Sequence, residues 1–215
     1  MVFYFKLRVD TAMLTLITFN YGDNNMSYHK KDLKIKILDK TYDLINQKGY
    51  QKVSVRMIAR ELSVSSTAIY RHYESYSDLM NYVIEKGDHV FSDYLLRNYN
   101  EKLSLFKQLH IMAENYITFA LDYPFLYDLM FISEYTPITS EADMICDLET
   151  QGMSQLIAIV DKIIKEKKLK TDLKTLLTHL WAYIQGYSYL IRFHHFEIDH
   201  NLLEEAIIGI LGGSK

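Results

Sequence analysis

Apolar positions recur at helical spacing along the chain from about residue 30, and no stretch alternates with the period of a strand. Leu33, Ile37, Thr41, Leu44 and Ile45 share one face of a first helix, and Lys30, Lys31, Lys34, Lys36 and Lys40 fall largely outside it. Gly49 is placed to end that helix as a C-cap glycine. Val55, Ile58, Ala59 and Leu62 give a short second helix an apolar face, and Ser63-Val64-Ser65 breaks it. Ser65 is suited to cap a third helix, which turns Ile69 and Tyr73 inward and Ser66, Thr67, Tyr70 and Arg71 outward. Ala59 falls where the second and third helices cross, a place for a side chain no larger than a methyl. Ser75 through Asp78 has the pattern of a capping box for a fourth helix running to about Leu96.

The rest of the chain also has helical periods. Asn100 is expected to cap a helix carrying Leu103, Phe106, Leu109, Met112, Ala113, Tyr116, Ile117 and Ala120. Pro124 starts another, Pro137 separates the next, and Met153, Leu156, Ile157, Val160 and Ile164 form a clean stripe. After a charged turn at 165–170, Thr171 is expected to cap a helix with Leu173, Leu176, Leu177, Leu180, Trp181, Ile184, Ser188 and Ile191 on one face. Tyr183, Tyr187 and Leu190 lie elsewhere on it, so it must be buried on more than one side. One side suits its own core; the second suggests a partner subunit. The fold class is therefore all-α, with a three-helix, helix-turn-helix head at 28–75 and a larger helical body at 76–215.

Composition narrows the class. A chain of 215 residues with two prolines and eight glycines has room for long helices and a sizeable core. One cysteine, Cys146, forms no internal disulfide, which suits a cytoplasmic protein; it reads as a small buried hydrophobe. The net charge of −3 is unevenly divided. Residues 28–82 hold ten Lys and Arg against six Asp and Glu, and residues 83–215 hold twelve against nineteen. The head is thus basic, as phosphate neutralisation requires, and the body is acidic. The apolar stretch 12–19 is too short to span a membrane and no small-x-small cleavage site follows it. Residues 1–27 are read as an extension, with translation expected to begin at Met26; a native peptide containing 11–20 would refute that.

A short exposed helix carrying small hydroxyls, a Tyr and an Arg suits the major groove of DNA. Residues 54–79 moreover resemble the DNA-binding domain of the TetR family of bacterial transcriptional regulators. Ser54, Val55, Arg56, Ile58, Ala59, Val64, Ser65, Tyr70, His72, Ser75 and Leu79 match that family's pattern, and Tyr73 replaces its Phe. Two positions depart: Ser63 stands where the turn glycine is usual and Tyr76 where a phosphate-contacting Lys is usual. The resemblance implies base contacts from Ser66, Thr67 and Arg71. It also implies phosphate contacts from Ser54, Tyr70, His72 and, through its hydroxyl, Tyr76, with Ser65 beside them. His72 equally reads as a local packing residue, and Lys30 and Lys31 equally as a solvated face.

The body is similar to a TetR subgroup with a Pro-x-Leu-Tyr-x-Leu-Met-Phe run and a Trp…His-Gly motif. Pro124, Leu126, Tyr127, Leu129, Met130, Phe131, Trp181 and Gly186 match, with Gln185 in place of His. This implies an effector-binding body that forms a homodimer through its last two long helices. Tyr94, Met112, Tyr116, Phe119, Phe131, Tyr135, Trp181, Gln185 and Tyr189 are the candidate effector residues, for a mostly apolar small molecule.

The implied function is a ligand-responsive repressor on a near-palindromic double-stranded DNA operator. Control by a protein partner, as in nucleoid-occlusion factors, and a degenerate head on a small-molecule-binding body are the alternatives. No cofactor, metal site or membrane contact is expected. His194, His195, Glu197, Asp199 and His200 read as a solvated helix end rather than a metal cluster. No phosphate loop, nucleophile elbow or Cys–His pair points to catalysis.

Overall fold

The computed structural model describes residues 25–136 and 150–212, with side chains from Asp32 onward. The readings placed on residues 1–24, the side chains of Lys30 and Lys31, Pro137 and Cys146 lie outside the described residues. Within them the chain forms helices and turns and no strand. The helices are α1 (Asn25–Lys48), α2 (Val55–Glu61), α3 (Ser66–Tyr70), α4 (Tyr76–Leu95), α5 (Leu105–Asp122), α6 (Pro124–Phe131), α7 (Gln151–Lys167), α8 (Leu173–His194) and α9 (His200–Ile210). A single 3-10 turn, Tyr50–Lys52, joins α1 to α2.

Polar side chains set the helix starts. Ser54 Oγ accepts from the Met57 amide, Ser65 Oγ from Ala68 and Ser75 Oγ from Asp78. Asp78 reaches back to accept from the Glu74 amide, one residue earlier than in a standard capping box. Gly49 leaves α1 at φ 84°, as a C-cap glycine should.

Two expected caps are shifted. α5 starts at Ser104, whose Oγ accepts from Lys107, because Asn100 instead closes a turn with the Lys102 amide; Leu103 is left outside the helix and exposed. α8 starts at Asp172, whose carboxylate takes both the Thr175 amide and its hydroxyl, two bonds that the neighbouring Thr171 hydroxyl cannot match.

Head and body share α4. In the head, Ile37, Leu44, Ile45, Ile58, Ala59, Ile69 and Tyr73 are buried together. Tyr73 donates to the Lys34 carbonyl at 2.9 Å, and the Lys34 ammonium lies over the Tyr82 ring. Lys34 is therefore partly buried rather than on the open basic face. Lys86 on α4 pairs with Asp39 on α1 at 2.6 Å. In the body α5 is central, packed against α4, α6, α7, α8 and α9. α6 reaches across to α1 and the 3-10 turn, so it too joins body to head. Gly152 at the start of α7 lies so close to α4 that a Cβ there would stand 2.9 Å from Ser92 backbone atoms.

Candidate DNA-reading head and effector cavity

α3 has five residues, and its burial divides it cleanly. Ile69 and, just beyond it, Tyr73 anchor the helix, while Thr67, Arg71 and Tyr70 are exposed, Tyr70 at 51%. Ser66 and His72 are half-buried at the edges of that surface. Lys52, Arg56 and Arg60 are exposed around it. The surface therefore offers hydroxyls, a phenol and guanidinium groups around one short helix. Those groups can donate to phosphate oxygens and to base edges. Ser54 and Ser65 spend their hydroxyl oxygens on helix caps, which leaves each hydroxyl proton available outward.

Ser63 holds φ 55°, the left-handed conformation for which glycine is suited. The turn is closed by the Ser63 amide on the Arg60 carbonyl and the Val64 amide on Ala59.

Tyr76 is placed differently from the expectation. Its hydroxyl donates to the Val53 carbonyl at 3.0 Å and its ring meets Tyr135 edge-on, so its proton is committed within the protein rather than offered to phosphate. Burial pushes its phenol up to about 12. Tyr76 is a joint between head and body.

The body encloses a cavity of about 500 Å³. Met112, Tyr116, Phe131, Tyr135 and Trp181 line it, five of the residues expected from sequence. The other four do not. Tyr94 is buried behind the wall, hydrogen-bonded to Asp122 and covered by the Arg97 guanidinium. Phe119 is buried among Phe91, Tyr94 and Tyr123. Gln185 sits behind Tyr116, accepting its hydroxyl proton at 2.8 Å and donating to the Phe131 carbonyl at 3.4 Å. Tyr189 is 54% exposed on the opposite side of α8, where the helical register carries it away from the core. Burial raises the Tyr116 phenol well above its ordinary value, and its hydroxyl is held between Gln185 and the Tyr127 hydroxyl, 3.2 Å away.

Sequence reading missed the polar wall, Asn81, Glu85, Asp88 and His89 of α4. Their spacing was visible, but polar residues on an amphipathic helix read as its solvent face.

Polar contacts also tie the helices around the cavity. Arg192 of α8 bonds Asp128 at 2.8 Å and the Pro124 carbonyl at 3.1 Å, fixing α8 to α6. His200 Nδ1 meets the Glu114 carboxylate, fixing α9 to α5. His194 and His195 are exposed at the end of α8, where His195 takes φ 58°.

Comparison with known proteins agrees with both halves. Residues 37–83 match the model for "Bacterial regulatory proteins, tetR family" and residues 109–209 that for "Tetracyclin repressor-like, C-terminal domain". The biofilm operon icaADBC HTH-type negative transcriptional regulator IcaR of Staphylococcus epidermidis is 28% identical over 92 residues, covering 40% of this chain and 50% of that protein. The chain thus spans about half the length of the curated relatives it matches. A TetR-family regulator from Haemophilus influenzae superposes with a TM-score of 0.58 at 19% identity, covering 86% of this chain and 97% of that one. The Bacillus subtilis regulator FadR, solved with stearoyl-CoA, gives 0.55 at 14% identity, covering 84% and 99%. With a helix-turn-helix head, a helical body and both family models matched in order, the chain belongs to the TetR family of bacterial transcriptional regulators.

Proposed function

We propose that the protein is a homodimeric, DNA-binding repressor that releases a near-palindromic operator when a small, mostly apolar molecule fills its body cavity. The observation that carries this reading is the path of α4. Its N-cap, Ser75, follows four residues after Arg71 at the end of α3, and from Asn81 to Leu95 it lines the cavity. A ligand that prefers a different placement of α4 would move the reading helix with it. The cavity supports a small-molecule signal over control by a protein partner, which would suit a filled body core. Bases are read by Ser66, Thr67 and Arg71, and the backbone by Ser54, Tyr70 and His72.

The dimer reading rests on α8 and α9. Ala182, Gly186, Tyr189, Leu190 and Phe193 are exposed at helical spacing on the face of α8 turned from the core. Phe196, Leu202 and Ile208 extend the apolar surface across the connecting turn and α9. A Cβ at Gly186 or Gly209 would meet nothing, so a second backbone can approach there. A second copy of this chain covers the patch in a self-complementary four-helix contact and sets two heads one helical turn of DNA apart, roughly 34 Å.

A mobility-shift titration on DNA flanking the protein's own gene, at two salt concentrations, tests the reading. A tight, salt-sensitive shift weakened by Tyr70→Ala and Arg71→Ala supports it. A complex that neither substitution weakens contradicts it.

A further inference from the structure

The body meets the head through α6 as well as through α4, and Arg192 of α8 sets the pose of α6. The two arms of its guanidinium hold two points of that helix. Nη1 donates to Asp128 Oδ1 at 2.8 Å and Nη2 to the Pro124 carbonyl at 3.1 Å. Those acceptors lie about one turn apart, roughly 6 Å along the axis. A planar fork engaged at both points fixes the angle of α6 to α8 as well as their distance. Both side chains are sheltered from water, that of Arg192 at 8% exposure and that of Asp128 at 26%.

The same cation touches the proposed subunit face. Its guanidinium carbon stands 4.9 Å from the ring centres of Tyr127 on α6 and of Phe193 on α8. Phe193 is exposed and belongs to the patch assigned above to a second copy of this chain. α6 in turn bears on the head. Phe125, between the two anchor points, packs on Gly49, where a Cβ would stand 3.2 Å from its ring. Gly49 takes φ 84° at the end of α1, and the 3-10 turn that follows leads to the Ser54 cap of α2. Other residues of α6 pack on α1 and on that turn. A route from Phe193 to the frame of α2 and α3 thus runs through a buried guanidinium and one short helix.

We infer that Arg192 is a positioning residue for DNA recognition: by fixing α6 against the subunit face it sets the separation of the two heads, and so the half-site spacing that the dimer accepts. The inference rests on the reading of the α8–α9 patch as the dimer face. A second head adds affinity only where both half-sites are reached at once, and each base pair inserted between them moves the second by about 3.4 Å. A stiff link gives a narrow spacing optimum, and a loosened link a broad one. Lysine in place of Arg192 keeps the charge but is a point donor that cannot span both acceptors.

The test titrates the full chain, by fluorescence anisotropy, on its selected operator, on duplexes with base pairs inserted or removed between the half-sites, and on a single half-site. Wild type is expected to lose at least tenfold in affinity when the spacing changes by two base pairs. In Arg192→Lys that loss should shrink to about threefold, while the single half-site is bound as by wild type and sedimentation still gives a dimer. Phe125→Ala should flatten the profile in the same way, and adding it to Arg192→Lys should change little further, since both act on one path. A wild-type spacing profile in Arg192→Lys overturns the assignment. So does a loss by one common factor on every duplex, the single half-site included, which is what a merely structural role gives. Should Arg192→Lys fail to fold or to dimerise, Phe125→Ala decides by the same criteria. A dimeric wild type with no preferred spacing overturns the assignment and leaves the dimer reading standing; a monomeric wild type removes both.

Discussion

The ring of Tyr135 stands edge-on to that of Tyr76, centroids 6.3 Å apart at 83°. Tyr135 makes the same kind of contact with Tyr50, at 6.2 Å and 88°, and its ring also lines the cavity. Tyr76 in turn donates to the carbonyl of Val53, next to the cap of α2. One side chain thus touches both the ligand space and the frame of the DNA-reading head. Tyr135→Ala is expected to weaken the coupling between cavity and head. Operator affinity would be measured by fluorescence anisotropy with and without saturating decanol, a small apolar probe for the cavity. The ratio of the two affinities should shrink at least threefold, equivalent to about 0.7 kcal/mol of coupling. An unchanged ratio would show that the signal travels through α4 alone.

Arg71 is exposed beside an anchored helix, so its loss should remove DNA contacts without unfolding the head. Arg71→Ala is expected to weaken operator binding by about 1–3 kcal/mol, roughly five- to 150-fold, if the guanidinium reads a base. Lys52→Gln, at the rim, should weaken all DNA alike and lower the salt dependence by about one unit. Anisotropy titrations on operator and scrambled duplexes separate the two effects.

Ser63→Gly addresses the head's strained turn. Relief of the left-handed conformation is worth about 1–2 kcal/mol, and the added freedom of glycine in the unfolded chain takes back about 0.4–1 kcal/mol. A net stabilisation of about 0.5–1 kcal/mol is expected in urea denaturation, with DNA binding retained. A destabilised variant would mean that the Ser63 side chain makes a contact of greater value than the strain.

Phe193 is 53% exposed at the C-terminal end of the apolar face of α8, next to Phe196 of the connecting turn. Phe193→Glu is expected to convert the proposed dimer to a monomer in analytical ultracentrifugation while helical content stays constant. Operator affinity should fall at least tenfold, because each head then binds alone. A variant that remains dimeric would place the subunit contact elsewhere.

Periodicity was a good guide to the head because each of its signals is local. Ile58, Ala59, Ile69 and Tyr73 are buried by their place on short helices, and Ser65 and Ser75 cap the helices that follow them. The cavity was half legible. Aromatic and methionine side chains gave Met112, Tyr116, Phe131, Tyr135 and Trp181, but residue type does not say which side of a packed layer a ring occupies. Tyr94 and Phe119 pack behind the wall, and Tyr189 points outward. The polar lining from α4 was not legible, since Asn81, Glu85, Asp88 and His89 border a cavity only once α5 and α7 pack against α4. Tyr76 was misjudged for a related reason: its partners, Val53 and Tyr135, are 23 and 59 residues away along the chain.

The most direct test of the central claim is selection of bound duplexes from a randomised DNA library by the full chain, followed by affinity measurement on the enriched sequence. The expected outcome is a near-palindrome with half-sites about one helical turn apart, bound as a dimer with strong salt dependence and weakened at least about fivefold by Arg71→Ala. A library that yields no common sequence, or one bound equally well by wild type and Arg71→Ala, would contradict a DNA-reading role for α3.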